Sequence, residues 1–300
     1  MQKKLIVIVG PTGIGKTDIA IAVAKHLKTE IISADSRQIF RELQIGTATP
    51  NSQQLHTVKH HLIKNHSIQE YYNASMYELE ALNELSNIYQ TNSIAVMSGG
   101  SMLYVDAVCK GIDDLPSVDL KIRNEITCRF ETEGINNLRF ELKKIDPDYY
   151  ATVDLKNHKR IIHALEVYYQ SGKTYSSFMT KPKKQREFDI IKIGLNTNRE
   201  ILHQRINQRV DQMIDDGLID EARSVYQYKT LNSLNTVGYR ELFDHFDGNI
   251  SLETAIELIK RNTRRYARRQ ITWFNKDQSI TWFEPKNVSE IISFIEQRIQ

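Results

Sequence analysis

The chain has 300 residues, 40% of them hydrophobic and 26% charged, with a formal net charge of +3, a balance that indicates a globular protein and excludes a disordered one. Its two cysteines, Cys109 and Cys128, stand far apart and outside any metal-ligand pattern, which excludes a disulfide framework and a zinc finger and is typical of the reducing cytoplasm. The first apolar run is too short for a signal peptide and no later run could span a membrane, so we expect a cytoplasmic protein without membrane contact.

Strand and helix patterns alternate over the first third of the chain. Residues 5–9 are continuously apolar and predict a buried strand, and the helical spacing of apolar residues over 17–27 predicts the helix that follows. Residues 30–34 and 94–97 predict two further strands. Between them, Ser75 and Glu78 resemble a capping box that begins a helix, whose apolar stripe is Leu79, Leu82, Leu85 and Tyr89. This alternation predicts a parallel sheet with its ligand at the carboxyl ends of the strands.

The strand pattern stops at about residue 116 and resumes only after residue 185. Helical patterns at 120–133, 135–144 and 157–170 fill this segment, and the basic stretch 181–184 closes it. The remaining predicted elements are a strand at 190–195, helices at 200–214 and 252–274, a strand at 279–283 and a helix from residue 289. We therefore predict an α/β core formed by residues 1–115 and 186–300, with residues 116–185 as an all-helical insertion.

The segment between the first strand and the first helix matches the phosphate-binding pattern G-x4-G-K-[ST]. It consists of Gly10, Pro11, Thr12, Gly13, Ile14, Gly15, Lys16 and Thr17. The glycines let backbone N–H groups converge on phosphate oxygens, Lys16 supplies a positive charge, and the Thr17 hydroxyl can bind Mg²⁺. The sheet is therefore predicted to be P-loop NTPase-like and flanked by helices, with a loop that binds diphosphate or a larger phosphate group, ATP being one alternative.

One acidic residue stands out near this loop. Asp35 follows the second predicted strand directly, whereas the third strand ends in Ser98-Gly99-Gly100-Ser101. An ordinary P-loop NTPase would end that strand with a carboxylate for the Mg²⁺ shell. Asp35 is therefore the leading acid near the phosphates, as a metal-shell ligand or a general base. The alternative is an Asp that only caps the next turn.

Basic residues concentrate on two predicted helices. One carries Lys260, Arg261, Arg264, Arg265, Arg268 and Arg269 and can turn Ile256, Ile259 and Tyr266 to the core. This stripe fits contacts with a nucleic-acid backbone or a solvated face paired with acids. On the other helix, Arg205 and Arg209 lie one turn apart. They could close over a phosphate or pair with Asp211 and Glu200.

Several blocks of sequence in a fixed order resemble the bacterial tRNA dimethylallyltransferases, also called tRNA isopentenylpyrophosphate transferases. The match extends over nearly the whole chain. Besides the phosphate loop and Asp35-Ser36-Arg37-Gln38, the blocks are residues 45–50, 60–62, 99–104, 157–168, 237–240 and 268–274.

The resemblance implies transfer of a dimethylallyl group from dimethylallyl diphosphate to N6 of adenosine 37, in the anticodon stem-loop of tRNA. It implies that the phosphate loop holds the diphosphate, with Mg²⁺ near Thr17, and that Lys16 and Arg209 neutralise the leaving group. The implied catalytic residues are Asp35 as the general base, Arg209, and Ser101, which replaces the usual Thr and keeps the role of its hydroxyl. The implied tRNA contacts are Asp35, Ser36, Arg37, Gln38, Ser101, Arg123, Lys159, Arg160, His163, Gly238, Tyr239 and Arg240. We expect a monomer.

Three alternatives stay open at the level of sequence. A P-loop small-molecule kinase would share the parallel sheet and arginines over the phosphates, and it would hydrolyse or transfer from ATP. An adenylate isopentenyltransferase would use a free nucleotide as its acceptor. The helical insertion and the arginine-rich helix argue against this alternative, because they favour a polynucleotide acceptor. An RNA-binding NTPase-like module without activity is disfavoured by Asp35 and Ser101 at the strand ends.

Overall fold

The computed structural model describes residues 2–113, 115–116, 118–179 and 184–299. The chain forms two compact units, one of Met1–Lys110 with Gln185–Gln300 and one of Gly111–Lys184. Of the basic stretch predicted at 181–184, residues 181–183 lie outside the described residues. No helix in the described ranges is both long and apolar enough to cross a membrane.

The first unit is built on a six-stranded sheet in which every neighbouring pair is parallel. The strands are β1 (Lys4–Val9), β2 (Ile31–Ser33), β3 (His60–His61), β4 (Ile94–Gly99), β5 (Asp189–Leu195) and β6 (Ile280–Phe283), in the order β3-β2-β4-β1-β5-β6. The helices of this unit are α1 (Lys16–His26), α2 (Ser52–Thr57), α3 (Ala74–Thr91), α4 (Met102–Lys110), α10 (Arg199–Asp215), α11 (Leu218–Ser224), α12 (Tyr239–Phe246), α13 (Leu252–Phe274) and α14 (Val288–Ile299).

The central strand β1 explains why the sequence predicts this sheet well. Its residues 5–9 are completely buried because helices cover both faces of the sheet, which is the setting that a continuous apolar run requires. The five strands predicted from sequence are confirmed. The sixth, β3, has only two residues and is too short to leave a periodic signal. Since β4 lies between β1 and β2 and all three strands are parallel, the loops at their carboxyl ends meet at one edge of the sheet.

The capping box predicted at Ser75 and Glu78 is wrong. Helix α3 begins at Ala74, and the side chain of Asn73 accepts a hydrogen bond from the backbone N–H of Met76 at 3.0 Å. Glu78 is buried and pairs with Arg186 at 2.6 Å. Because the buried face is set by tertiary packing, Leu79 from the predicted stripe is 68% exposed.

The second unit is entirely helical within its described residues. It contains α5 (Leu120–Glu133), α6 (Ile135–Ile145), α7 (Pro147–Thr152), α8 (His158–Ser171) and α9 (Tyr175–Phe178). Its core includes Ile126, Leu138, Leu142, Ile161 and Leu165, all buried. The three helices predicted here are therefore present, and two short ones, α7 and α9, were not foreseen because each has fewer than two helical turns.

Candidate active site

The loops that follow β1, β2 and β4 line a cavity of about 450 Å³ in the first unit. One part of its wall is polar and charged, formed by Thr12, Lys16, Thr17, Asp35, Ser101 and Arg209. Another part is apolar and comes mainly from α10, α11 and α13, with the side chains of Ile206, Val210, Met213, Leu218 and Ile259. Asp35 is the one acidic residue among the described residues that line it. The cavity therefore offers a cationic end, an apolar wall and a single carboxylate.

The predicted phosphate loop takes the expected place between β1 and α1. Gly15 adopts a left-handed conformation, with φ of 95°, directly before the first residue of α1, which a residue with a side chain rarely adopts. Thr12, Gly13, Gly15, Lys16 and Thr17 line the cavity. Ile14 instead points into the core and is completely buried.

Lys16 is a partly buried cation at the start of α1. Its ammonium group donates a hydrogen bond to the carbonyl of Pro11 at 2.9 Å, within the same loop. Burial, reinforced by the positive charge of Arg209, lowers the pKa of Lys16 to about 8, while Asp35 opposes this shift. A cation that is poorly solvated in this way gains stability from a bound anion.

Arg209 reaches the same cavity from α10. Its guanidinium group donates to the carbonyl of Thr47 at 3.5 Å, and burial lowers its pKa against the opposing effect of Asp35. Arg205, one turn earlier, is exposed and donates to the carbonyl of Ile14 at 3.4 Å. Asp211, weighed as a partner for these arginines, pairs with Lys260 at 2.7 Å. Lys16 and Arg209, both partly buried, thus line the same cavity as the carboxylate of Asp35.

The turn after β2 holds the carboxylate of Asp35. Its Oδ1 accepts hydrogen bonds from the backbone N–H groups of Arg37 at 2.9 Å and Gln38 at 3.3 Å. The side chain therefore does cap this turn, as one interpretation of the sequence predicted. It also lines the cavity, so the capping role and a chemical role do not exclude each other.

Ser101 connects the loop after β4 to the same turn. Its hydroxyl accepts a hydrogen bond from the backbone N–H of Ser36 at 2.8 Å and donates to the Ser36 hydroxyl at 3.1 Å. Arg37 donates to the carbonyl of Ser233 at 3.0 Å. Gln38 donates to the carbonyls of Thr47 and Ala48. Four of the predicted site residues thus hold the loops around Asp35 in place by hydrogen bonds; they are Ser36, Arg37, Gln38 and Ser101.

The block at 237–240 divides between the cavity and the core. Gly238 and Arg240 line the cavity. Tyr239 is completely buried, and its hydroxyl donates to the carboxylate of Glu221 at 2.7 Å. The tRNA contact predicted for Tyr239 does not fit this buried ring, which supports the cavity wall from behind.

Four predicted tRNA-binding residues lie in the helical unit. Arg123 and His163 both contact the buried Glu166, at 3.2 and 3.1 Å. Burial alone would raise the pKa of Glu166, but the hydrogen bond of His163 and the charge of Arg123 lower it. Lys159 and Arg160 are exposed on the first turn of α8. Their charges are therefore available at the surface of this unit.

The basic stripe of α13 is partly paired and partly exposed. Arg264 donates to Asn207 at 2.5 Å, and Lys260 forms the ion pair with Asp211 described above. Arg261, Arg265 and Arg268 are exposed. Tyr266, which the pattern assigned to the core, lines the cavity together with Arg269, and burial raises its pKa to about 12. The helix thus contributes one face to the cavity and another to the surface.

Two polar residues near the site were missed in the sequence, the buried Gln270 and the partly buried Glu221. Gln270 is 1% exposed and bonds to two loops of the cavity. Glu221 accepts hydrogen bonds from the backbone of residues 44–46. Gln270 lies in the 268–274 block, which could have drawn attention to it, whereas nothing in the sequence around Glu221 distinguishes it from a surface acid of α11.

Comparisons with known proteins agree over nearly the whole chain. The family model for IPP transferase matches residues 38–277. The tRNA dimethylallyltransferase 1 of Bacteroides fragilis is 51% identical over 298 residues, which are 99% of this chain and 99% of that protein. The tRNA dimethylallyltransferase of Christiangramia forsetii is 49% identical over 300 residues, 100% of this chain and 99% of that protein.

Solved structures give the same picture. The tRNA isopentenylpyrophosphate transferase of Bacillus halodurans superposes with a TM-score of 0.72 at 36% identity, covering 99% of this chain and 96% of its own. A eukaryotic dimethylallyltransferase, captured acting on tRNA, superposes with a TM-score of 0.78 at 26% identity, covering 99% of this chain and 77% of its own. The similarity therefore includes both the cavity and the helical insertion.

Proposed function

The chain belongs to the IPP transferase family, and on that premise we propose how its cavity carries out the reaction. The protein transfers a dimethylallyl group from dimethylallyl diphosphate to N6 of adenosine 37 in tRNA. The observation that carries the proposal is that two partly buried cations, Lys16 and Arg209, share one partly apolar cavity with Asp35, the one acid among its described lining residues. Such an arrangement suits departure of a diphosphate better than transfer of a phosphoryl group.

The donor occupies the cationic end and the apolar wall. The diphosphate lies on the phosphate loop, where the N-terminus of α1, Lys16 and Arg209 neutralise the charge that develops as it leaves. The dimethylallyl group packs against side chains such as Ile206, Val210 and Met213, which line the same cavity. These apolar residues also keep water from the allylic carbon.

The acceptor amine is a poor nucleophile because its lone pair is delocalised into the adenine ring. As the N6 lone pair attacks the allylic carbon, the bond from that carbon to the diphosphate oxygen breaks and its electron pair leaves with the diphosphate. Asp35 takes the proton released from N6. Ser101 holds the turn that carries Asp35 through Ser36, and the adenine leaves its stack to reach this position.

Mg²⁺ fits the donor atoms of the cavity as a companion of the diphosphate. The described residues contain no group of three or more His, Cys, Asp or Glu that could hold a metal on its own. The Thr17 hydroxyl does line the cavity, and Mg²⁺ is commonly held by few protein oxygens together with phosphate oxygens and water. Thr17 would hold the ion, which would supply further positive charge against the leaving group.

The tRNA binds through its anticodon stem-loop, and each unit contributes polar or charged residues to this contact. Exposed Arg261, Arg265 and Arg268 of α13 supply phosphate contacts. Arg240 and Gly238 at the cavity act near the target base. Arg123, Lys159, Arg160 and His163 add contacts from the helical unit. The protein is proposed to work as a monomer in the cytoplasm, where its two free cysteines, Cys109 and Cys128, stay reduced.

The test is incubation of the purified protein with dimethylallyl diphosphate, Mg²⁺ and unmodified tRNA, followed by mass analysis of the nucleosides. N6-dimethylallyladenosine and free diphosphate are the expected products. A parallel reaction replaces the donor with ATP, and another replaces tRNA with AMP. Phosphoryl transfer from ATP, or prenylation of AMP but not of tRNA, would contradict the proposal.

A further inference from the structure

The side-chain amide of Gln270 joins the two loops that flank the reacting atoms. Its Oε1 accepts a hydrogen bond from the backbone N–H of Thr12 in the phosphate loop at 2.9 Å. Its Nε2 donates to the carbonyl of Gly100, in the loop after β4, at 2.8 Å. The side chain is 1% exposed, so water does not compete for either bond.

Each of these loops controls one reactant of the proposed reaction. Thr12 belongs to the loop that holds the diphosphate. Gly100 immediately precedes Ser101, whose hydroxyl holds the backbone of Ser36 beside the base Asp35. The amide of Gln270 thus sets the separation between the leaving group and the proton acceptor.

The local structure is shaped around this amide. A methyl group at Gly100 would collide with Nε2 of Gln270, so the glycine at this position allows the loop to approach. A primary amide carries its acceptor and its donor on two separate atoms, so it can accept from an N–H group in one loop and donate to a carbonyl in the other. Glu offers the same shape, but its ionised form cannot donate to Gly100.

We propose that Gln270 is a positioning residue of the transfer reaction, which fixes the phosphate loop and the Asp35 turn at the spacing that the displacement requires. The inference rests on the proposed function. Alignment of the attacking nitrogen, the carbon and the departing oxygen is sensitive to small shifts, and misplacement by about 1 Å can cost on the order of 100-fold in rate. Both polar atoms of the Gln270 amide are bonded to these loops, so the residue acts through them.

The experiment compares Gln270→Met and Gln270→Glu with the wild-type protein in single-turnover prenylation of tRNA at saturating substrates. Gln270→Met keeps the bulk and loses both hydrogen bonds, so its rate is expected to fall roughly 10- to 100-fold. Its affinity for inorganic pyrophosphate should change much less, because Lys16 and Arg209 remain. Gln204→Glu, on the exposed side of α10, serves as the control for an added carboxylate.

The pH profile of Gln270→Glu separates positioning from a general loss of structure. Protonated Glu can donate to the carbonyl of Gly100 and restore both bonds, whereas ionised Glu repels that carbonyl. The rate of this variant relative to wild type is therefore expected to rise as the pH falls, and that of Gln204→Glu to stay constant. A pH-independent ratio, or a Gln270→Met variant with the wild-type rate, would overturn the inference. Inactive wild-type protein would instead contradict the proposed function.

Discussion

The hydroxyl of Tyr239 donates a hydrogen bond to the carboxylate of Glu221 at 2.7 Å, inside the wall of the cavity. The same carboxylate accepts from the backbone N–H groups of Gln44, Ile45 and Gly46 at 2.8, 2.7 and 2.9 Å. A Cβ atom at Gly46 would lie 2.6 Å from the Tyr239 hydroxyl. The loop can therefore approach Tyr239 this closely only because residue 46 is a glycine. The carbonyl of Thr47, the next residue in this loop, accepts a hydrogen bond from Arg209, so Glu221 holds the loop segment that contacts this arginine.

This relationship predicts the effect of Glu221→Gln. An amide cannot accept at both of its polar atoms, so its NH₂ group would face backbone N–H donors and leave at least one of them unpaired. The free energy of unfolding is expected to fall by about 1–3 kcal/mol, measured by urea denaturation. Tyr239→Phe, which removes one donor and keeps the ring, should cost about 1 kcal/mol. Equal stability of Glu221→Gln and wild type would show that the carboxylate does not hold the loop.

Replacement of Asp35 by Asn tests the proposed base without disturbing the turn. The Asn side chain can still accept from the backbone N–H groups of Arg37 and Gln38, but it cannot take a proton from N6. The single-turnover rate is expected to fall by about 10²–10⁴-fold, while the dissociation constant for tRNA stays near that of wild type. Asp18→Asn, an exposed acid of α1, is the matched control. Normal turnover of Asp35→Asn would remove Asp35 as the base.

The lowered pKa of Lys16 predicts a pH dependence of diphosphate binding. In the ligand-free protein Lys16 has a pKa of about 8, so it is charged below that pH and increasingly neutral above it. A bound anion favours the charged form and raises the pKa, so binding above pH 8 takes up a proton. Affinity for inorganic pyrophosphate should therefore weaken as the pH rises from about 8 toward 10, by at most about tenfold per pH unit.

Isothermal titration calorimetry in buffers of different ionisation enthalpy measures this proton uptake. Lys16→Met is the reference, because titration of pyrophosphate itself is common to both proteins and cancels in the comparison. Equal pH dependence in the two proteins would mean that Lys16 keeps its charge throughout.

The exposed arginines of α13 predict a salt-dependent contribution to tRNA binding. Replacing Arg265 and Arg268 with Ala should weaken binding and reduce the slope of log K against log salt concentration by about 0.7–0.9 for each phosphate that these arginines neutralise. The control replaces Lys25 and Lys28 with Ala and so removes the same charge elsewhere on the protein. Both lysines are exposed, at and just beyond the end of α1. If both variants shift the slope equally, the effect belongs to net charge and α13 is a solvated face.

Signals that are local in sequence determined much of the fold and the centre of the site. The phosphate loop is contiguous, the buried strands are short apolar runs, and the helices between residues 116 and 185 repeat apolar residues at a fixed period, so the predicted strands and these three helices were found. Asp35 was identified because it directly follows a strand whose carboxyl end must meet the phosphate loop in a parallel sheet. Such inferences need only the chain connectivity and the geometry of regular elements.

Only the tertiary structure decided which polar groups are buried together. Gln270 and Thr12 are 258 positions apart, Glu221 reaches residues 44–46 from α11, and Tyr239 turns into the core although its neighbours Gly238 and Arg240 line the cavity. The pattern of α13 places Tyr266 on an apolar face, but packing opens that face to the cavity. The physical reason is that a buried donor or acceptor must be paired, and its partner is chosen by the path of the whole chain, which no local periodicity records.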